Sequence, residues 1–215
     1  MTFRQLDRPG TALLRRLREP APPQPQRCEF CGRHLPAEHR HLADTDQQAL
    51  TCACTACALL FQQPGAADGR YHAVPDRYLT DPAHPLGEDA WAVLGIPVAT
   101  AFLLRTTRLQ RSVLLYPGPG GATEAEPDEA AWQAAFGGSR LYAAMRPDVE
   151  ALLLRRDTDG IQCYLVPVDV CYELVGRLRR CWKGFDGGAE ARAEQTAFFE
   201  RLAARSRVLP EGGAR

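Results

Sequence analysis

Lysine is almost absent from this chain of 215 residues: Lys183 stands alone beside 25 arginines, and the 26 basic residues balance 26 acidic ones. A net charge of zero provides no global field to draw the chain onto nucleic acid or an anionic membrane. The missing lysines also exclude a Walker-type phosphate loop. Tyr116-Pro117-Gly118-Pro119-Gly120-Gly121-Ala122-Thr123-Glu124 has the glycines but not the Gly-Lys-Ser/Thr ending, so it reads as a structural turn with backbone N–H groups open to an anion. Serine is confined to Ser112, Ser139 and Ser206, and no histidine follows His84. The C-terminal half therefore offers no nucleophile–base–orienter set for a hydrolase triad. No run of about 18 apolar residues exists to span a membrane, and the N-terminus has no apolar core of a secretion signal. A cytoplasmic location is expected. Abundant Arg, Ala, Gly and Pro fit a GC-rich genome, which weakens any argument from arginine clusters.

What the chain has is cysteine, concentrated in one place. Five of its eight cysteines fall between Cys28 and Cys57, in Cys28-Glu29-Phe30-Cys31-Gly32 and Cys52-Ala53-Cys54-Thr55-Ala56-Cys57. Two C-x-x-C pairs, Cys28/Cys31 and Cys54/Cys57, with 22 residues between them, have the spacing of a tetrahedral zinc site. Each pair lets two thiolates on one turn converge on a cation, and Gly32 supplies the positive φ that a knuckle requires. In a chain without a secretion signal, such thiols point to metal binding and not to a disulfide framework. His39-Arg40-His41-Leu42 and Ala49-Leu50-Thr51-Cys52 read as strands around the polar turn Asp44-Thr45-Asp46-Gln47. A helix is expected from Thr55, with Cys54 and Cys57 on its first turn, where the dipole favours thiolates. Knuckle, hairpin and ligand-bearing helix follow one another in the order of a treble-clef zinc finger. A rubredoxin-type iron site would place glycine after Cys57, where Ala58 stands; zinc is the expected metal. An HNH nuclease would need a further histidine or asparagine on the helix, and 58–63 supplies only Gln62 and Gln63. Cys52 is surplus, either a buried apolar thiol or a metal ligand. His39 and His41 share a strand face, as a hydrogen-bonded pair or, with Cys52, as an additional metal or ligand site.

The rest of the chain divides by composition. Residues 1–26 comprise a short amphipathic stretch (Leu13, Leu14, Leu17) and the linker Pro20-Ala21-Pro22-Pro23-Gln24-Pro25, which no helix or central strand can contain. The zinc module occupies 27–63, an irregular connection 64–90, and an α+β domain 91–207. That domain reads as hairpin–helix–hairpin–helix. Strands lie around 98–104 and 112–116, a helix over 128–136, and a second hairpin over 149–166 around Asp157-Thr158-Asp159-Gly160. A helix capped by Asp169 runs from 170 to 182, and a last one from 189 to 205. We expect one antiparallel sheet with helices on one face. Glu150, in an apolar strand, calls for an arginine on a helix, and Glu173 and Arg177 form an i, i+4 pair. Trp182 and Phe185, flanking Gly184, are candidate partner contacts, with closure of the domain's own core as the alternative for Trp182.

Several phrases together are specific: the Cys28–Gly32 knuckle, His39-Arg40-His41-Leu42, Cys52-Ala53-Cys54, Leu94-Gly95-Ile96-Pro97-Val98, Tyr116 to Glu124, Pro147-Asp148-Val149-Glu150-Ala151-Leu152-Leu153, and Val166-Pro167-Val168-Asp169 through Trp182-Lys183-Gly184-Phe185. They resemble a bacterial family of unknown function whose genes tend to lie near nickel–iron hydrogenase genes in high-GC bacteria. The resemblance spans nearly all of the chain past the proline linker. It implies an accessory role around a hydrogenase, in assembly, maturation or electron delivery, with a hydrogenase subunit as protein partner. The expected protein is thus a non-catalytic zinc protein. An iron–sulfur redox protein is the alternative, and a metal-handling enzyme built on His39, His41 and Cys52 is a third reading.

Overall fold

The computed structural model describes residues 26–63, 65–184 and 187–211. The amphipathic stretch, the proline linker, and Phe185 lie outside the described residues. The described residues form a mixed α+β structure with two sheets, one of three strands and one of seven.

The small sheet is built on the hairpin β1 (Arg40–Asp44) and β2 (Ala49–Ala53), with Asp44 paired to Ala49 and His41 to Cys52. Asp44 closes the hairpin chemically: its Oδ1 accepts from the backbone N–H groups of Asp46 and Gln47, both at 3.1 Å. The helix α1 (Thr55–Leu60) follows at once. The 64–90 stretch, expected to be irregular, contributes a third strand, β3 (Tyr71–Ala73), which pairs antiparallel with β1. Arg70 anchors it, with its Nε and Nη2 on the Asp44 carboxylate at 3.0 and 2.6 Å. That pairing holds the buried Asp44 carboxyl below its usual range, against the opposing effect of burial. The core here is small. Leu42, Ala53 and Ala58 are buried, and Phe30, Phe61 and Tyr71 close over them with ring centroids 4.8–5.2 Å apart. Of the apolar run after Cys57, only Ala58 is buried; Leu59 and Leu60 are exposed.

The large sheet has seven strands. Its centre is the expected pair of hairpins: β5 (Thr100–Thr106) with β6 (Arg111–Gly118), and β8 (Glu150–Asp157) with β9 (Gly160–Pro167). They join through antiparallel β5–β8 pairing. The glycine-rich segment is a tight reversal from β6 into an additional strand, β7 (Gly121–Ala125), with Gly118 opposite Gly121. At the other edge, β4 (Leu79–Thr80) lies antiparallel to β9, and β10 (Arg207–Val208) lies parallel to β4.

Helices cover both faces of this sheet, not one as expected. Alternate residues of β8 show why: Leu152 and Leu154 face one core, Ala151 and Leu153 the other. A continuous apolar run such as Ala151-Leu152-Leu153-Leu154 marks a strand buried on both sides. The first face is covered by α2 (Glu88–Val93), α3 (Glu129–Phe136) and α4 (Arg140–Ala144), through Trp91, Phe136 and Leu141. The second is covered by α5 (Val168–Cys181) and α6 (Gly188–Arg205), through Leu174, Leu178 and Phe199. Arg177 binds Glu173 within α5 and also Glu194 on α6, at 2.8 and 2.9 Å. No helix among the described residues is long and apolar enough to cross a membrane.

Two expectations are corrected here. Asp169 does not cap α5: the N-cap is Pro167, and Asp169 sits in the first turn. Glu150, fully buried, pairs not with a helix arginine but with Arg77, from the segment before β4. The contact is bidentate, at 2.7 and 2.6 Å, and Arg146 N–H completes it at 2.9 Å. Removing one partner of a buried ion pair strands the other. Arg77→Ala should therefore lower stability by about 3–5 kcal/mol, whereas Arg111→Ala, which breaks the exposed pair with Glu124, should cost under about 1 kcal/mol. Denaturant midpoints of the two variants provide the comparison, and equal losses would contradict it.

Candidate metal centre

Four thiols meet at one end of the small sheet. The first pair lies on a knuckle whose turn is closed by Gly32 N–H to Cys28 O and Cys28 N–H to Arg33 O, both at 2.8 Å. Gly32 has φ +71°, a conformation that side chains disfavour. Glu29 pins the knuckle to β2: its N–H donates to Cys52 O at 3.0 Å, and its Oε1 accepts from Cys52 N–H at 2.7 Å. The second pair belongs to α1. Cys54 is its N-cap, and its Sγ accepts from the Cys57 N–H at 3.5 Å. A cysteine sulfur thus stands where Ser or Asp ordinarily caps a helix.

The sulfurs of Cys28, Cys31, Cys54 and Cys57 all lie within 4.8 Å of one another. Across the two pairs, Cys31 Sγ and Cys54 Sγ are 3.8 Å apart. Four sulfurs at about 2.3 Å from a central ion form a tetrahedron with edges of about 3.8 Å. The four could therefore hold one metal ion. Their surroundings favour negative charge at two of them. Burial would raise the Cys28 thiol, but the backbone N–H groups of Cys54, Cys31 and Phe30 outweigh it and bring the thiol down to about 6. The Cys57 N–H lowers Cys54, while sharing a proton with Cys54 pushes Cys57 up to about 12. In the absence of a cation, the cluster keeps protons on some of its members to relieve the crowding of charge.

A second group lies on the neighbouring strands: His39, His41 and Cys52 have ligand atoms within 4.8 Å of one another. Cys52 thus lies outside both the four-sulfur set and the buried core of the small sheet. His34 belongs to neither group and bridges back to Arg27 in the knuckle. Trp182 packs, half-buried, against the second core of the large sheet, and its Nε1–H donates to Gly184 O at 3.0 Å. The residue that sequence reasoning missed is Asp169, whose Oδ2 lies 2.8 Å from His41 Nδ1 and ties the small sheet to α5. Its expected capping role hid this contact, and no local signal spans the 128 residues between them.

A cleft of about 860 Å³ lies between the β5–β6 hairpin and α3–α4, lined by none of the four cysteines. Within its lining, Ser112 Oγ and Tyr142 OH are hydrogen-bonded at 2.9 Å.

A family profile matches residues 27–206, from the knuckle to the end of α6. The chain belongs to DUF5947, a family of unknown function. No curated protein and no solved structure matches it. The DUF5947 match takes in both sheets.

The geometry separates Cys52 from Cys54. Cys54→Ala should release the metal held by the four-sulfur set and open residues 27–63 to protease, whereas Cys52→Ala should retain that metal. Metal analysis after gel filtration, with limited proteolysis, reads both. Retention in Cys54→Ala and loss in Cys52→Ala would mean that Cys52, and not Cys54, is the ligand on this side of the site.

Proposed function

We propose that this DUF5947 protein is a non-catalytic zinc protein that assists the assembly or maturation of a metalloenzyme, such as a nickel–iron hydrogenase. The observation that carries the reading is the sulfur geometry. The 3.8 Å separation of Cys31 and Cys54 fits a closed four-thiolate zinc site, the kind that supports structure and leaves no position for substrate. Knuckle, hairpin and helix in that order support a treble-clef assignment with Cys28, Cys31, Cys54 and Cys57 as ligands. A unit of this size cannot bury enough apolar surface to fold unaided, and zinc binding on the order of 10–16 kcal/mol supplies what is missing.

The alternative is an iron–sulfur redox protein on the same thiols. A cluster of several irons spreads its cysteines over separate metal atoms, which requires sulfurs farther apart than one tetrahedral edge. The spacing here favours a single ion. The hydrogenase connection rests on the resemblance of the knuckle, the β6–β7 turn and the α5 segment to proteins encoded near such enzymes. A partner role is supported by the adjacent exposed leucines of α1, Leu59 and Leu60, and by the Trp182–Phe185 segment.

A tagged chain expressed in its native host should be colourless, carry one tightly held zinc, and co-purify with a hydrogenase subunit. Trp182→Ala should weaken that association with a melting temperature close to wild type. Visible absorbance after anaerobic purification would favour the iron–sulfur reading. Absence of any metalloenzyme subunit from the purified complex would contradict the accessory role. A Trp182→Ala protein that loses about 3–5 kcal/mol of stability yet keeps its partner would return that tryptophan to the core.

A further inference from the structure

We infer that His39, His41 and Cys52 form a second metal site, open at one coordination position, for a single late first-row transition ion. The inference does not depend on the accessory role proposed above. It starts from strand register. His41 and Cys52 are directly opposed on β1 and β2, and His39 lies two residues before His41, so the three side chains share one face of the hairpin. Their ligand atoms come within 4.8 Å of one another, and the two imidazole centroids are 4.7 Å apart.

The hydrogen bonds fix both tautomers. His39 Nδ1 lies 3.0 Å from Pro36 O, and His41 Nδ1 lies 2.8 Å from Asp169 Oδ2. A carbonyl and a carboxylate can only accept, so in each ring Nδ1 is the donor and Nε2 is the nitrogen left for a metal. An imidazole held through Nδ1–H by a carbonyl or carboxylate is the arrangement that supports a metal-bound Nε2.

A purely structural histidine pair would use those lone pairs. Here, His39 Nε2 is buried and has no hydrogen-bond partner. Asp169 Oδ1, on the carboxylate behind His41, is another buried atom without a partner. Native structures leave few such atoms, and each calls for an explanation such as an ion. A cation on the two Nε2 atoms and Cys52 Sγ would satisfy His39 directly and strengthen the His41–Asp169 contact.

The donor set defines the class of ion. Two imidazoles and a thiolate suit zinc, cobalt, nickel or copper, and suit magnesium or calcium poorly. Three protein ligands leave the fourth position to water or an exchanging group. A cavity of about 710 Å³ opens on the histidine side of this group, lined by His39, His41 and Asp169 but not by Cys52. The hairpin would thus carry a closed four-sulfur site at one end and an exchangeable site on its face.

Cobalt(II) tests this on the full chain with zinc in the four-cysteine site. Cobalt should bind as a further equivalent without displacing zinc and give thiolate-to-cobalt charge-transfer absorption. His41→Ala and Cys52→Ser should abolish that equivalent and its absorption while zinc content and melting temperature hold. Asp169→Asn, a change in a positioning residue, should weaken cobalt binding by roughly 10–100-fold. Absence of the charge-transfer band in wild type, cobalt uptake only as zinc leaves, or wild-type titration of Cys52→Ser would overturn the site. Should Cys52→Ser shed its zinc, Asp169→Asn decides, because its side chain belongs to α5: unchanged cobalt affinity there would overturn the site.

Discussion

Four thiols held within 4.8 Å of one another are a constraint that the small sheet does not meet by itself. Bringing sulfurs so close raises the free energy of every state in which two or more are ionised, and the protein alone can respond only by keeping protons on some of them. A cation reverses the sign of that interaction. It turns the crowded cluster into the strongest tie among the knuckle, β2 and α1, which otherwise share a core of three buried residues under three aromatic rings. The proposed zinc would therefore be the element that holds this part of the chain folded. The N-cap position of Cys54 and the positive φ of Gly32 are the local features that aim the sulfurs at it.

The large sheet answers to a different constraint. Its central strands are apolar on both faces, so neither face can be left to water, and the chain supplies helices for each. That arrangement buries Glu150 completely, which makes Arg77 obligatory. It also sets the start of α5 against β1, where Asp169 meets His41. The two sheets are thus joined by a polar contact that bears on a candidate metal ligand, and the occupancy of that ligand would be felt at α5. Gln48 and Thr106, at 3.3 Å, and a bond from Arg108 to Asp46 O strengthen the same junction.

The parts legible in the sequence are those governed by short-range rules. Two C-x-x-C pairs bring their own sulfurs together, Asp157 to Gly160 forces a hairpin, and the helical spacing of Leu174 and Leu178 marks α5. The parts that were not legible depend on long-range pairing. β3 is three residues long and has little pattern of its own; it exists because β1 has a free edge and Arg70 has Asp44 to bind. Asp169 has the composition of a helix cap, and only the packing of α5 against the hairpin gives its carboxylate to His41. Arg77 sits in a segment with no periodicity, 73 residues from Glu150. The cover on both sheet faces was written in Ala151-Leu152-Leu153-Leu154, but a continuous apolar run of that length also suits a buried helix.

The central claim is that Cys28, Cys31, Cys54 and Cys57 enclose one metal ion. X-ray absorption at the metal edge, on protein carrying its single tightly held equivalent, measures that shell directly. The account predicts zinc with four sulfur neighbours at about 2.3 Å and no neighbouring metal atom. Nitrogen or oxygen in the first shell, or a short metal–metal vector, would contradict it.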